Sequence, residues 1–257
     1  MKITLIQTDP IWANPEQNAS IIEKIVASLP QTDLIVLPEM FSTAFATRPE
    51  GIAEENDYSL DLLRRLSAER GCALAGSIAV KDAEDSTFRN RFYFVHPDGK
   101  VEYYDKHHPF SFSGEHLRFA PGKKRVVVEY GGIHILLQVC YDLRFPVFAR
   151  NFLHEDGRAD YDLALYVASW PSSRIDAWDT LLKARAIENQ CYVAAVNRVG
   201  DDPGNNYCGH SKLIGPKGEI VVSCEDGKVC WCSAELDMDA LLEFRKAFPV
   251  LSDADPL

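Results

Sequence analysis

The chain reads as an α/β protein in which helices cover two stacked sheets. Three observations carry that reading. Strand-like apolar runs alternate with amphipathic helical stretches. Three turns marked by glycine or proline insert hairpins into the alternation. The strands are also too many for one comfortable open sheet. No low-complexity stretch or linker interrupts residues 1–257, so one domain is expected over the whole length.

The elements follow in order. Lys2 to Gln7 is an apolar first strand, too short an apolar run for an export signal. Pro15 to Leu29 places Ile21, Ile22, Ile25, Val26 and Leu29 at helical spacing, with Asn14 as its cap. Leu34 to Leu37 is a short strand of the kind buried on both faces. Tyr58 to Arg70 is a helix on Leu62, Leu63 and Leu66, stopped by Gly71. Cys72 to Val80 returns to strand. Phe88 to His96 and Lys100 to Tyr104 flank Pro97-Asp98-Gly99, and Arg125 to Tyr130 and Ile133 to Val139 flank Gly131-Gly132. Phe145 to His154 is expected to be helical, and Leu163 to Ala168 a strand. Ile175 to Asn189 is an amphipathic helix with Trp178, Leu181, Leu182, Ala186 and Ile187 on or near one face. Cys191 to Val196 is a strand. Ser211 to Ile214 and Glu219 to Val222 make the third hairpin, Lys228 to Leu236 a last strand and Met238 to Phe248 a last helix. The tail, Leu251 to Leu257, is polar and carries Pro256; it is either loose or docked on a partner.

Charge and cysteine usage exclude several classes. The net charge of −11 (27 Lys and Arg against 38 Asp and Glu) argues against nucleic acid or an anionic membrane as partner. No stretch approaches the roughly 18 apolar residues of a membrane span. Seven cysteines, an odd number, predict reduced thiols in a cytoplasmic protein.

Three polar residues close strand-like runs. Cys140 ends Ile133–Val139 and precedes Tyr141-Asp142-Leu143-Arg144-Phe145-Pro146. A thiol there is either a core cysteine or a nucleophile whose thiolate a helix N-terminus stabilises. Glu39 follows Asp33–Pro38 and is a surface carboxylate or a partly desolvated base. Lys106 follows Val101–Asp105 and is a solvated loop lysine or a site cation; Glu115 is a second candidate carboxylate. His107 and His108, adjacent on a strand, would face opposite ways, which speaks against a metal, and no cofactor is implied. Cys72, Cys191 and Cys224 read as core. Cys230 and Cys232 share a strand face without the second pair a zinc site needs, and Cys208 is open. A thiol protease would want a Cys–His pair, which no histidine here supplies convincingly.

Together, Leu37-Pro38-Glu39-Met40-Phe41, Tyr104-Asp105-Lys106-His107-His108 and Val139-Cys140-Tyr141-Asp142-Leu143-Arg144-Phe145-Pro146 resemble, in order and separation, the three motifs of the nitrilase or carbon–nitrogen hydrolase superfamily. Gly114-Glu115-His116, Trp170-Pro171, the run Lys183 to Gln190 and Asn197-Arg198-Val199-Gly200 look like its omega-amidase branch. The resemblance implies a nitrilase-type αββα sandwich, two mixed sheets flanked by helices, and subunits paired through helical faces as a homodimer or larger homo-oligomer. It implies hydrolysis of the terminal amide of 2-oxoglutaramate or 2-oxosuccinamate to dicarboxylate and ammonia, through a cysteine thioester. Cys140 would be the nucleophile and Glu39 the base. Lys106 and the backbone N–H of Tyr141 would hold the oxyanion, with Glu115 supporting. The alternatives are an N-carbamoyl amine or deaminated-glutathione amidase with the same trio, a nitrilase proper, or a silent binding protein on this fold. His107, His108, Phe110, Arg118 and Trp170 are candidate substrate contacts, and Arg144 is expected to pair with Asp142 or Glu188. Relatives carry Lys-x-His-Leu-Phe where this chain has Lys106-His107-His108-Pro109-Phe110. Pro109 removes an N–H and fixes φ, which bears on the acyl preference.

Overall fold

Apolar side chains alternate along the inner strands, and that alternation separates two cores. In the computed structural model, which describes residues 1–255, β1 (Lys2–Gln7) and β2 (Leu34–Val36) pair in parallel, and β2 pairs in parallel with β3 (Ala73–Lys81). β4 (Phe88–Val95) and β5 (Val101–Asp105) add antiparallel strands through the Pro97-Asp98-Gly99 turn. Ile3, Leu5, Leu34, Val36, Ala73 and Ala75 face one way into the core between the sheets. Ile6, Ile35, Leu37, Leu74 and Ile78 face the other way, onto α1 (Pro15–Ser28) and α2 (Tyr58–Arg70). Asn14 Oδ1 accepts from Gln17 N at 3.1 Å and Gly71 closes α2 with φ +63°, as the capping signals predict.

The second sheet begins with β6 (Val127–Tyr130) and β7 (Ile133–Val139), an antiparallel hairpin. Next come α3 (Pro146–Ala149), β8 (Leu163–Ala168), α4 (Ile175–Asn189) and β9 (Tyr192–Asn197). β7, β8 and β9 pair in parallel. A separate ribbon follows, β10 (Val199–Asp202) with β11 (Asn205–Cys208), and then β12 (Lys212–Ile214) and β13 (Ile220–Ser223). β14 (Cys230–Glu235) returns to the first sheet beside β1, and α5 (Met238–Ala247) closes the chain. Among the described residues the sheets run β14-β1-β2-β3-β4-β5 and β13-β12-β9-β8-β7-β6. They are the two stacked mixed sheets expected, flanked by helices.

Three local expectations change. The helix expected over Phe145–His154 is one turn, α3. Pro146 starts it, and Asn151 stops it by sending its backbone N–H to Asn189 Oδ1 (2.9 Å) instead of to the turn before. On α4, Trp178, Leu182 and Ala186 are buried while Ile187 points out, and Arg185 and Asn189 take the inner positions with polar work to do. The β10–β11 ribbon was not expected, because Asp-Asp-Pro-Gly-Asn-Asn reads as a loop. Leu251 is buried in a 3₁₀ turn, Val250–Asp253; the last two residues of the tail, Pro256 and Leu257, lie outside the described residues.

Gly122 shows how tightly the end of β5 is held. Its N–H donates to Lys106 O at 2.9 Å, and a Cβ built on it would fall 2.0 Å from Asp105 O. Gly122→Ala must therefore push the segment carrying Lys106 aside. The expected cost is about 1–3 kcal/mol, read as a melting temperature lower by ~2 °C or more together with reduced turnover. An unchanged melting curve with full activity would show that this contact does not fix the segment.

Candidate active site

Three chain segments end at one place. Past β2, the chain is pinned to β3: Leu37 N donates to Ala75 O (2.7 Å), Met40 N to Ser77 Oγ (2.9 Å) and Phe41 N to Ser77 O (3.3 Å). That pinning sets Glu39. Past β5, Lys106 N donates to Asn90 O at 2.9 Å. Past β7, Cys140 takes φ +46°, in the left-handed region, and opens a 3₁₀ turn over Cys140–Arg144. A non-glycine residue there costs about 1–3 kcal/mol, which surrounding contacts must offset.

Asp142 supplies many of those contacts. It is fully buried. Its Oδ2 accepts from Val139 N (3.0 Å) and from the Tyr104 hydroxyl (2.8 Å). Its Oδ1 accepts from His108 N (3.0 Å) and faces His108 Nδ1 at 2.8 Å. Tyr104 in turn accepts from His107 N at 3.0 Å. One carboxylate thus ties the cysteine turn to the strand end that carries Lys106. From behind, Arg185 Nη2 donates to Leu143 O at 2.6 Å.

Beneath the turn lies a closed polar cluster. Lys106 Nζ donates to Glu39 Oε1 at 2.8 Å, to Glu115 Oε2 at 2.9 Å and to Glu115 Oε1 at 3.1 Å. Asn90 Nδ2 bridges the same carboxylates, at 2.8 Å from Glu39 Oε1 and 3.2 Å from Glu115 Oε1. Ser169 N donates to Glu39 Oε2 at 2.8 Å. All four side chains are fully buried. Burial by itself would lower the Lys106 pKa, but the charges of Glu115 and Glu39 outweigh it and hold the ammonium firmly protonated. Burial raises the carboxyl of Glu115 above its usual range, against the pull of Lys106, and the negative Glu39 adds to the rise. Cys140 is also pushed well up, by burial first and then by Glu39, with Lys106 and the Ser169 N–H opposing. Burial beside a carboxylate outweighs a single 3₁₀ turn.

Cys140 opens onto a cavity of about 200 Å³ whose wall includes Tyr141, Phe110 and Trp170. His107 and His108 are elsewhere. Both follow β5 rather than lying on a strand, so they do not point apart; their rings pack 4.5 Å from each other against Phe148. Nδ1 of His107 contacts Gly122 O, and that of His108 contacts Asp142. Arg118 is at the surface, 2.6 Å from Glu50. None of the three lines the cavity.

Sequence reasoning overlooked the two guanidiniums that do. Arg144, expected to bury against Asp142 or Glu188, instead stacks over Trp170 at 4.9 Å in the cavity wall. It is Arg185 that meets Glu188, at 2.7 Å. Arg174 lies over Phe110 at 5.4 Å. Among the described residues neither guanidinium has a carboxylate within ion-pairing distance. The β10–β11 ribbon adds Asp202, Asn205 and Tyr207 to the wall. Asn90 was detectable in principle, since it shares a strand face with the buried Phe92.

Comparison with known proteins places this geometry. The family model for carbon-nitrogen hydrolases matches residues 2–246. The chain is 44% identical to the omega-amidase YafV of Yersinia enterocolitica over 256 residues, 99% of this chain and 97% of that one. It is 32% identical to the 2-oxoglutaramate amidase of Bacillus subtilis, over 98% of this chain and 96% of the relative. Among solved structures, XC1258 of Xanthomonas campestris, a CN-hydrolase superfamily protein with an arsenic adduct in its active site, superposes with a TM-score of 0.96. It is 40% identical and covers 100% of this chain and 98% of its own. Nit3 of Saccharomyces cerevisiae, from the nitrilase superfamily, gives 0.83 at 26% identity, over 97% and 94%.

The raised thiol has a direct consequence. A cysteine normally ionises near 9.0, and a pKa above that leaves the neutral thiol dominant throughout the neutral range. Thiolate absorbance at 240 nm, taken as wild type minus Cys140→Ser across a pH titration, is expected to show no step below pH 9.0. A step near neutrality would mean that Lys106 dominates over burial and Glu39.

Proposed function

The chain belongs to the carbon–nitrogen hydrolase family, and we propose that it hydrolyses the terminal amide of a small 2-oxo dicarboxylic acid monoamide such as 2-oxoglutaramate or 2-oxosuccinamate. The observation that carries this reading is one cavity lined by the Cys140 thiol and by two guanidiniums that are unpaired among the described residues, with the buried Glu39–Lys106 pair acting on that thiol. An amide is attacked at one end while a carboxylate is held at the other. Arg144 and Arg174, each seated on an aromatic face, match a planar carboxylate. The relatives called omega-amidase and 2-oxoglutaramate amidase support the same substrate class.

In this mechanism Glu39 takes the Cys140 proton as the sulfur attacks the amide carbon. Glu39 is suited to that task because Lys106, Asn90 and the Ser169 N–H fix both of its oxygens. The tetrahedral oxyanion is held by Lys106 and by the backbone N–H of Tyr141. Glu39 then hands the proton to the departing ammonia, leaving a thioester. The same carboxylate activates the water that resolves it. Proton transfer of this kind contributes roughly 10²–10⁴ in rate and each oxyanion donor roughly 10²–10³. Glu115 shares the Lys106 charge and keeps the ammonium aimed. We also infer that residues 1–257 act as one domain, in the cytoplasm, as a homodimer or larger homo-oligomer. The exposed Val147 of α3 suits a helical pairing face, and sedimentation at micromolar concentration measures it.

Ammonia release from 2-oxoglutaramate, 2-oxosuccinamate, N-carbamoyl amines, deaminated glutathione and nitriles tests the assignment. The two oxo acid amides are expected to lead the panel, and leadership by a carbamoyl compound would replace the reading. Cys140→Ala with an intact circular dichroism spectrum should release no ammonia, and Glu39→Gln should form no acyl adduct on Cys140 by intact mass. For Arg144→Ala the expected change is a KM higher by about 10–100-fold, the loss of a charged hydrogen bond, with the smaller effect on kcat. A substrate KM unmoved in both Arg144→Ala and Arg174→Ala would remove the carboxylate-binding role.

A further inference from the structure

Three thiols lie outside the catalytic cavity and cluster at one edge of the molecule. β13 and β14 are the outer strands of the two sheets, on the same side, and the chain crosses between them through Glu225–Val229. Cys224 leaves β13 with its N–H on Ser211 O (2.9 Å) and its Sγ 3.9 Å from Leu5 O. Cys232, in register with Leu5, lies on β14. The Cys224 S–H points at Cys232 Sγ over 3.3 Å, a contact closer than two unbonded sulfurs ordinarily take. Cys230, on the same strand, is partly exposed and touches Gln7 Nε2 and Glu225 O at 3.8 Å.

We propose that Cys224 and Cys232 are a redox modification site for hydroperoxides, closing to a reversible disulfide that fastens the outer strand of one sheet to that of the other. Neither residue takes part in the amide chemistry. The hydrogen bond from Cys224 favours the thiolate on Cys232 and lowers its pKa, while that bond and burial raise Cys224. Cys232 is therefore the attacking sulfur. Its thiolate displaces hydroxide from hydrogen peroxide and becomes a sulfenic acid, the peroxide O–O bond being reduced by two electrons. Cys224 then attacks that sulfur. The S–O bond breaks, the S–S bond forms, and the Cys224 proton leaves with the hydroxyl as water. In sum two thiols and one peroxide give one disulfide and two waters, and a dithiol reverses it.

The other buried thiols are internal controls. Cys72 and Cys191 have their pKa raised to about 11 and about 12, chiefly by burial. Neither is hydrogen-bonded to another sulfur among the described residues.

The sequence makes the test simple, because Lys228 separates the partners. Trypsin yields residues 218–228, holding Cys224, and 229–245, holding Cys230 and Cys232. Wild-type enzyme is titrated with hydrogen peroxide until Cys140, in the 126–144 peptide, is itself oxidised. It is then quenched with N-ethylmaleimide and digested without reduction. The expected product is 218–228 joined to 229–245 with two hydrogens lost and the maleimide on Cys230. It should vanish with dithiothreitol or in Cys232→Ala and persist in Cys230→Ala. The oxidised protein should also melt several degrees higher than the reduced one. Absence of the joined peptide once Cys140 is oxidised would overturn the proposal. So would a link that runs through Cys230 alone, or a melting temperature that does not rise.

Discussion

A single ammonium, that of Lys106, organises this molecule. Placing it out of contact with water is tolerable only if anionic oxygens surround it, and here two carboxylates do, Glu39 and Glu115, at 2.8–3.1 Å. Those carboxylates would repel each other without it, so the three groups are stable only as a set. Glu39, after β2, is 67 positions from Lys106, after β5, while Glu115 follows Lys106 by 9. The two parallel βα units and the β4–β5 hairpin bring them to one sheet edge. Asn90 from β4, the Ser169 N–H just past β8 and the Phe110 N–H donate to the remaining lone pairs. The cluster is thus also a bond between the sheets.

The cysteine turn depends on a third buried carboxylate. Asp142 accepts from β7, from the Tyr104 hydroxyl and from the backbone of His108, and so offsets the strained φ of Cys140. The two histidines beside the site lysine are engaged outside the cavity: His108 binds Asp142 through its backbone and ring, while His107 binds the Tyr104 hydroxyl through its backbone and Gly122 O through its ring. The strand-alternation argument applied to these histidines does not hold, because both follow the end of β5 at Asp105.

Much of the architecture was legible because period-two and helical apolar patterns are local. β1, α2, β7, β8 and α4 fall where the pattern puts them. The positions of Glu39, Lys106 and Cys140 at strand ends were legible for the same reason. What escaped depends on distant partners. Asn151 shortened α3 through Asn189, 38 positions away but adjacent in space. Arg185, not Arg144, meets Glu188, because the direction of a long side chain is decided by which aromatic face or carbonyl it meets, here Trp170 for Arg144 and Leu143 O for Arg185. The direction of the thiol's shift was not legible because desolvation is a property of the assembled cavity.

The β10–β11 ribbon forms a two-stranded sheet of its own, fastened at its root by Arg198 and by Val199 N on Thr8 O, while its far end walls the cavity. Its ladder makes no demand on either main sheet. Insertions, deletions or exchanges at Pro203-Gly204 can therefore reshape what enters without disturbing the reactive groups. Evolution could retune acceptance of new amides through this appendage while the underlying chemistry stayed constant, and a designer seeking altered selectivity would begin there.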